Sequence, residues 1–362
     1  MRGGSTREWR HDFGDSYRMA GATGGEPEWR ARAEVGARAL QRWYVRWTGQ
    51  WRTTGWWQAA NALTTIVRYT QCTGDRSHSW VIERTFRAAG RRHSRFINKY
   101  FDDNAWWGLA WLDAYDLTGA EQYANAARVI FDQMLTGWDD TCNGGVWWNT
   151  DRRYKNAITN ELFLSLAARL HKYSEHDGSP YLDWALREWD WFSSSGMIGA
   201  SGLVNDGLTA DCRNNGKPTY TYNQGVVLGG LSALNQITGQ QEYLTAGERI
   251  ADATIRDLTS PASSHAPGVL VEPGEQDMAA IRRRGDRTQF KGIFIRNLHD
   301  FTRQSDRPAY RDFILRNADS IWHNGRNSKN QFGMRWTGPF DAADASRQSS
   351  ALDVLIAAAA LA

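Results

Sequence analysis

The sequence predicts an all-α protein in which six helical hairpins close into a ring, an (α/α)6 barrel. Three observations predict this toroid. Apolar residues recur with the 3.6-residue period of a helix along most of the chain, and hardly any segment alternates as a strand does. Several of these segments end in a Gly suited to the left-handed conformation of a helix C-cap. The polar and aromatic motifs fall at the start of every second segment.

The helical period divides the chain into twelve segments, whose ends are predicted to within about two to four residues. Gly74, Gly119 and Gly239 end three of them after a Thr, and Asp177-Gly178 occupies a matching position. Short connections of this kind make successive helices antiparallel. The segments span residues 29–47, 56–71, 76–90, 104–117, 121–135, 155–172, 180–194, 222–237, 241–257, 288–303, 307–323 and 346–361.

The ring is predicted to be one domain. A chain of 362 residues is long enough for one large domain with its own core, or for two ordinary domains. We expect residues 29–362 to form this domain, and residues 1–28 to form an N-terminal extension without regular structure. Residues 350–362 are small and apolar, as suits an inner helix that closes a ring. An open solenoid, the alternative arrangement, would favour a polar cap there.

Charge and composition exclude several classes of function. Lys plus Arg number 43 and Asp plus Glu 40, a net charge of +3 that does not favour nucleic-acid or membrane-surface binding. No apolar run reaches the roughly 18 residues of a transmembrane helix. The first 29 residues lack the apolar stretch of a secretory signal, which predicts a cytoplasmic protein, or a secreted one if a signal was removed. We expect a monomer.

Cysteine and histidine spacing predicts neither a metal site nor a cofactor. The three cysteines form no CxxC pair and no disulfide framework, although one disulfide stays possible. The eight histidines show no metal-ligand spacing. A nucleophile elbow, a phosphate-binding Gly-rich loop and a dinucleotide fingerprint are also missing from the sequence.

Tryptophan is unusually abundant, at 19 residues, and much of it is paired. The pairs are Trp56-Trp57, Trp106-Trp107 and Trp147-Trp148. Neighbouring residues of a helix point about 100° apart, so one core-facing side cannot take both members of a pair. A flat indole suits the C–H face of a sugar, and its N–H suits a hydroxyl. Composition thus favours a carbohydrate site, with plain packing as the alternative.

Five motifs are expected to converge on one mouth of the ring. Because alternate helices of a ring of hairpins are parallel, motifs that begin every second helix meet at the same end. Their polar residues are predicted to bind sugar hydroxyls, although ordinary surface or core roles are the alternative. These residues are Asn104, Lys155, Asn156, Tyr222, Asn223, Gln224 and Lys291, and Asp139 joins them from a Gly-rich loop.

Two acidic pairs, Asp102-Asp103 and Asp139-Asp140, could supply catalytic carboxylates at this mouth. Glycoside hydrolysis uses two, and a separation of about 5–5.5 Å lets one attack the sugar directly. We expect Asp102 and Asp103 to reach that spacing in a non-helical turn. Mutual repulsion then raises one of their pKa values, as an acid catalyst requires. The alternative for such a pair is an ordinary helix cap.

The motifs resemble those of glycoside hydrolase family 76, the endo-α-1,6-mannanases, over roughly residues 30 to 325. The similar runs are YFDDNAWWGLAWLDAYDLTG, GWDDTCNGGVWW, YKNAITNELFLSLAARL, TYNQGVVLGGL and FKGIFIRNL. The resemblance implies an (α/α)6 barrel that cuts α-1,6-mannan with retention and without metal. The family's loop usually reads Cys-Gly-Gly-Gly; here Asn143 replaces one Gly, which Asn tolerates because it enters the left-handed region.

The resemblance also implies roles for individual residues. Asp102 matches the nucleophile and Asp103 the acid/base. The cleft would be lined by Trp56, Trp57, Trp106, Tyr222, Trp147 and Trp148. The expected partner is a mannose-containing oligosaccharide or polysaccharide. Alternatives are an exo-acting α-mannosidase, a non-catalytic glycan-binding protein, and an isomerase or epimerase, which would need a catalytic His that none of the five motifs contains.

Overall fold

The structure, a computed structural model, describes residues 25–92, 94–174, 180–277 and 285–362. The turn predicted at Asp177-Gly178 and nearly all of the predicted N-terminal extension lie outside the described residues. Within these ranges the chain forms twelve α-helices and one short β-hairpin.

The helices follow one another in the predicted order. They are α1 (Glu26–Gln41), α2 (Trp56–Thr73), α3 (Trp80–Arg92), α4 (Phe101–Thr118), α5 (Glu121–Leu135), α6 (Ala157–His171), α7 (Pro180–Ser194), α8 (Thr221–Thr238), α9 (Gln241–Asp257), α10 (Phe290–Phe301), α11 (Pro308–Asn324) and α12 (Ala345–Leu361). The strands β1 (Tyr44–Val45) and β2 (Gln50–Trp51) pair antiparallel between α1 and α2.

The even-numbered helices form a closed inner ring. Each packs against the next, from α2 through α4, α6, α8 and α10 to α12, and α12 packs back against α2. The odd-numbered helices cover this ring from outside, each against an inner neighbour. Closure between α12 and α2 excludes the open solenoid, and the predicted (α/α)6 architecture is confirmed. As predicted, the C-terminal segment is the helix that closes the ring, and it is buried over most of its length.

The helix predicted over residues 29–47 is shorter than expected. It ends at Gln41, and residues 44–51 form the β-hairpin instead. Gly49 takes a positive φ of 71° in the hairpin turn, and Trp51 becomes part of the core with 1% of its surface exposed. The apolar spacing of this segment suited a helix, but Gly49 adopts the left-handed turn that glycine favours, and the hairpin buries Trp51.

The ends of the inner helices agree with the sequence more closely. Gly74, Gly119 and Gly239 are the C-caps of α2, α4 and α8, with φ of 74°, 68° and 71°. Each cap donates its backbone N–H to a carbonyl four residues earlier in the last turn. These sharp ends let the chain return along the outside, so that the inner helices run parallel.

Candidate active site

The five predicted motifs meet at one end of the ring. Parallel inner helices place the first turns of α2, α4, α6, α8 and α10 together, and aromatic side chains join several of them. Trp57 of α2 stacks on Trp106 of α4, with ring centroids 5.8 Å apart, and on Phe290 of α10, at 6.1 Å. Phe290 also stacks on Tyr222 of α8, at 3.7 Å and nearly parallel. Four helices thereby share one aromatic floor at the mouth.

Asp102 and Asp103 lie in the first turn of α4, above this floor. We expected a non-helical turn, but the helix begins at Phe101, whose backbone N–H donates to the carbonyl of Trp148. Asp102 accepts two hydrogen bonds, from the backbone N–H of Asp103 at 2.9 Å and from the indole N–H of Trp148 at 3.0 Å. Asp103 accepts one from the side-chain amide of Asn98, at 2.7 Å. Both carboxyls are therefore held in place by N–H donors.

Burial raises the pKa of both carboxyls of this pair above the usual range. For Asp102 the charge of Asp103 adds to the effect of burial, while the N–H donors oppose it. For Asp103 the bond from Asn98 opposes burial, and the charge of Asp286 adds to it. Within the described residues neither forms an ion pair with a basic side chain. The pair can thus hold a proton near neutral pH, as general acid catalysis requires.

A Gly-rich loop, residues 137–148, borders the pair and is fastened by Lys155. The ammonium donates to Asp139 through its carboxylate and its carbonyl, both at 3.0 Å, and to the carbonyls of Thr141 at 2.6 Å and Gly144 at 2.7 Å. Burial would raise the pKa of Asp139, but hydrogen bonds from Trp147 and Lys155 outweigh it and lower the pKa to about 2. At neutral pH Asp139 is therefore ionised and anchors the loop, which does not suit a general acid.

The same loop is cross-linked to a second loop by a disulfide between Cys142 and Cys212. The sequence left one disulfide open, and the fold brings together two cysteines 70 residues apart. Cys72, the third cysteine, is buried and free. Asn143 takes a φ of 64°, so it does adopt the left-handed conformation that its substitution for Gly requires.

Several residues predicted to bind hydroxyls are buried and occupied by the protein itself. The side chain of Lys155 is 1% exposed, and Lys291 is 2% exposed and paired with Glu275 at 2.7 Å. Gln224 hydrogen-bonds both backbone groups of Val204. Each is needed to satisfy buried partners, so these positions fasten loops behind the mouth instead of facing a ligand. Asn104, Asn156 and Asn223 are likewise buried.

Some of the aromatic residues predicted to line the cleft are accessible at the mouth, and others are buried. Trp56, Trp57, Trp147 and Tyr222 are partly accessible at the mouth, and Trp148 is 36% exposed. Trp106 keeps 4% exposure as part of the floor, while Trp107 is wholly enclosed. We expected one member of each pair to be excluded from the core. An inner helix of a ring is packed on nearly all sides, however, so the core accepts both of these neighbours.

Three polar residues near the pair were missed by sequence reasoning. Asn98 holds Asp103, as described above. Asp286 accepts hydrogen bonds from the indole of Trp57 at 3.1 Å and the amide of Gln58 at 2.8 Å. Asp206 accepts a hydrogen bond from the Tyr154 hydroxyl at 2.5 Å. Burial raises the pKa of Tyr222, and the charge of Asp206 adds to this effect. All three lie in connecting segments outside the quoted runs. Only Asn98, two residues before Tyr100, offered a signal by proximity.

The described residues contain neither a cluster of metal ligands nor a helix that could span a membrane. No three of their His, Cys, Asp or Glu side chains are grouped as metal ligands would be. Within the same residues, no helix combines the length and the hydropathy that a bilayer crossing demands.

Comparison with known proteins supports the reading of this site as glycosidic. The model of a family described as Glycosyl hydrolase family 76 matches residues 28–362. A putative mannan endo-1,6-alpha-mannosidase of Schizosaccharomyces pombe is 26% identical over 261 residues, 67% of this chain and 57% of that protein. The mannan endo-1,6-alpha-mannosidase DFG5 of Saccharomyces cerevisiae is 25% identical over 78% of this chain and 65% of its own. The chain thus spans less than two thirds of the length of either yeast relative.

Solved structures show the same fold over nearly the whole length. The GH76A α-1,6-mannanase of Salegentibacter sp. has a TM-score of 0.80 and 26% identity, over 92% of this chain and 100% of its own. An inactive variant of that enzyme, with two adjacent aspartates replaced by alanine, binds α-1,6-mannotetrose and matches with a TM-score of 0.80 and 25% identity, over 92% of this chain and 99% of that one.

Proposed function

The chain belongs to glycosyl hydrolase family 76 and is a glycoside hydrolase, and from this premise we propose that it cleaves internal α-1,6-mannosidic bonds with retention of configuration. The observation that carries the proposal is the pair of hydrogen-bonded, half-buried carboxyls at the aromatic mouth. A pair of adjacent aspartates is also what was replaced in the inactive α-1,6-mannanase variant.

Asp102 is the nucleophile and Asp103 the acid/base of the proposed double displacement. A carboxylate oxygen of Asp102 bonds to the anomeric carbon while the C–O bond to the leaving sugar breaks, and Asp103 gives that oxygen its proton. Water then attacks the same carbon, Asp103 takes a proton from the water, and Asp102 is released. Two inversions leave the configuration unchanged. Burial raises the pKa of Asp102 above that of Asp103 in the free protein, so Asp102 must lose its proton to Asp103 before it attacks. The N-terminus of α4 and the donors on Asp102 oppose the effect of burial and favour its ionised form.

The accessible aromatic residues suit the substrate side of this chemistry. Trp57 and Tyr222 present rings at the floor, and Trp148 presents a partly exposed ring beside Asp102. Their apolar faces match the C–H faces of mannose, while Asp206 and Asp286 can accept hydrogen bonds from hydroxyls. No described basic residue pairs with Asp286, so a neutral sugar fits this wall well.

The decisive experiment is digestion of α-1,6-mannotetraose and α-1,6-mannobiose followed by NMR. We expect the tetraose to be cut internally, with α-configured product formed first. First-formed β product would contradict the retaining mechanism, and stepwise release of mannose would show exo action. Binding of the tetraose without turnover would favour a glycan-binding protein. Activity should also persist in EDTA, since the proposed steps use only carboxylates and water.

The disulfide bears on localisation, for which the sequence left two alternatives. Disulfides form and persist in oxidising compartments and are rare in the cytosol. We therefore favour the secreted alternative, in which the Cys142–Cys212 bond is formed. Alkylation and mass analysis of protein from its native source should find one reactive thiol after denaturation; three reactive thiols would support the cytoplasmic alternative.

A further inference from the structure

We propose that Lys155 is a positioning residue, which fixes the loop of residues 137–148 so that the indole N–H of Trp148 stays on the nucleophile Asp102. The role of Asp102 rests on the proposed function; the hydrogen-bonded path from Lys155 to Trp148 does not. The sequence suggested a substrate-binding role for Lys155, and the contacts of its ammonium point to this different one.

The ammonium of Lys155 sits in a cage of four oxygens. These are the carboxylate and carbonyl of Asp139 and the carbonyls of Thr141 and Gly144, at 2.6–3.0 Å. Its three N–H groups are all engaged by protein atoms. The ring of Trp147 lies 4.9 Å from the nitrogen and adds a cation–π contact. No donor is left for a sugar.

The loop needs such a cation because its backbone is irregular. Cys142, Asn143, Gly144 and Gly145 all have positive φ, from 59° to 139°. Successive left-handed residues form no helix or strand ladder, so their carbonyls need other partners. Lys155 supplies partners to the carbonyls of Thr141 and Gly144, and the negative charge of Asp139 balances the ammonium. Without this charge the loop loses the centre around which it is folded.

Hydrogen bonds lead from the cage to the nucleophile. The indole N–H of Trp147 donates to Asp139 at 2.7 Å, which ties the cage to the neighbour of Trp148. The backbone N–H of Trp148 donates to the carbonyl of Tyr154 at 2.8 Å, the residue before Lys155. The indole of Trp148 then reaches Asp102 at 3.0 Å. Movement of the loop must therefore displace the donor on Asp102.

The disulfide is a second anchor of the same loop. Cys142 lies between the two carbonyls that Lys155 binds, and its bond to Cys212 joins it to a neighbouring loop. That loop contacts Tyr154 through Asn215, whose amide donates to the Tyr154 hydroxyl at 2.8 Å. The loop is thus held by an ionic cage on one side and by a covalent bond on the other.

The expected chemical effect follows from the contact with Asp102. A hydrogen bond to an ionised carboxylate favours the ionised form and fixes its rotamer. Loss of the Trp148 donor should therefore raise the pKa of Asp102, an effect in the same direction as burial. Since the nucleophile must be ionised to attack, the acid limb of the activity profile should move to higher pH and kcat should fall.

A double-mutant cycle tests whether Lys155 acts through Trp148. The variants are Lys155→Met, which keeps the length and removes the charge, Trp148→Phe, which removes the N–H, and the pair together. We expect each single variant to lower kcat on α-1,6-mannotetraose by about tenfold, the scale of one charge-assisted hydrogen bond. The double variant should fall little below the singles. Additive losses would overturn the proposal.

Controls separate positioning from general destabilisation. Lys172→Met removes a lysine at the far end of α6, beside Asp116 at 3.8 Å, and should leave kcat and the pH profile unchanged. If Lys155→Met fails to fold, reduction of the disulfide replaces it. Reduction should then lower kcat of the wild type more than that of Trp148→Phe, and equal losses would contradict the path to Trp148.

An NMR measurement tests the path without relying on activity. In ¹⁵N-tryptophan-labelled protein, the indole signal missing from Trp148→Phe identifies Trp148. We expect this signal to titrate with pH in the wild type, to lose that titration in Asp102→Asn, and to shift or broaden in Lys155→Met. If Lys155→Met leaves the Trp148 signal unchanged, the positioning role is contradicted, even if the protein proves to be a hydrolase. If the chain proves inactive while the signal behaves as expected, the proposed function fails and the positioning role survives.

Discussion

Helix α4 carries a pair of aspartates near each of its ends, and the two pairs have opposite surroundings. Asp102 and Asp103 in the first turn are held by neutral N–H donors, and burial raises the pKa of both. Asp113 and Asp116, about three to four turns later, face Arg169 at 2.8 and 3.1 Å. The same residue type on one helix thus has a raised pKa at one end and is paired with Arg169 at the other, because among the described residues basic side chains approach only the second pair.

The far end of the ring is a network of matched charges. Arg68 of α2 donates to Asp300 of α10 at 2.6 Å. Burial would raise the pKa of Asp300, yet Arg68 beside it lowers the pKa well below the usual range. A cavity of about 1150 Å³ opens among these side chains. The carboxylates that line this cavity are paired with arginines. Its volume alone therefore does not indicate a catalytic site.

Substitution of the mouth pair should produce the largest effect in the protein. We expect Asp102→Asn and Asp103→Asn each to lower kcat/KM by about 10³-fold or more, since a nucleophile and a general acid are lost. Both variants should fold, because Asn keeps the size of the side chain. Steady-state assay on α-1,6-mannotetraose and circular dichroism measure this. If Asp139→Asn and Asp140→Asn abolish activity while Asp102→Asn does not, the catalytic pair lies in the Gly-rich loop.

The acid role of Asp103 should appear in the pH dependence of activity, to which the aspartates at the far end of α4 should not contribute. Its raised pKa keeps it protonated above the usual carboxyl range near pH 4. Activity should therefore fall on the alkaline side only as pH rises through this raised value. With a good leaving group, Asp103→Asn should lose less activity than Asp102→Asn, and the alkaline limb should be absent. A limb that persists in Asp103→Asn would assign the proton to another group.

Breaking the far network should cost stability and leave catalysis intact. Asp113→Asn removes a carboxylate that is 9% exposed and leaves Arg169, itself 24% exposed, with Asp116 alone. We expect the free energy of unfolding to fall by about 1–3 kcal/mol, below the usual cost for a fully buried pair, since water screens Arg169 in part. Urea unfolding measures this loss, and kcat/KM should stay within about twofold. A large loss of activity would show that the two ends are coupled.

The smallest effect is expected at the acid that faces water. Asp140 is 93% exposed and lies 3.6 Å from Arg187. Asp140→Asn should change the free energy of unfolding by less than about 0.5 kcal/mol and activity by less than about twofold. Its neighbour gives the matched contrast, because Asp139→Asn removes the charge that Lys155 binds and should cost clearly more. Equal effects of the two substitutions would argue against the Lys155 cage.

Much of the architecture could be predicted because it depends on local patterns. Eleven of the predicted helices recur as α2 to α12 within a few residues, and the twelfth ends early where the Gly49 turn favours a hairpin. The convergence of motifs followed from geometry alone, since parallel inner helices share an end. The acidic pair was found because both residues are adjacent in the sequence and lie in one motif.

What the sequence determined by itself was the helical period, the Gly caps and the order of the motifs, which are properties of neighbours along the chain. Only the tertiary structure decided which polar residues are accessible at the mouth and which are occupied by protein partners. Lys155 and Lys291 carry the same charge as a sugar-binding lysine would, but each is buried and must satisfy oxygens of the protein. Asp286 contacts Trp57 at the mouth, although it lies in a connecting segment that contains none of the five motifs. A buried charge is costly unless it is paired, so its role depends on contacts between distant segments, which no local pattern contains.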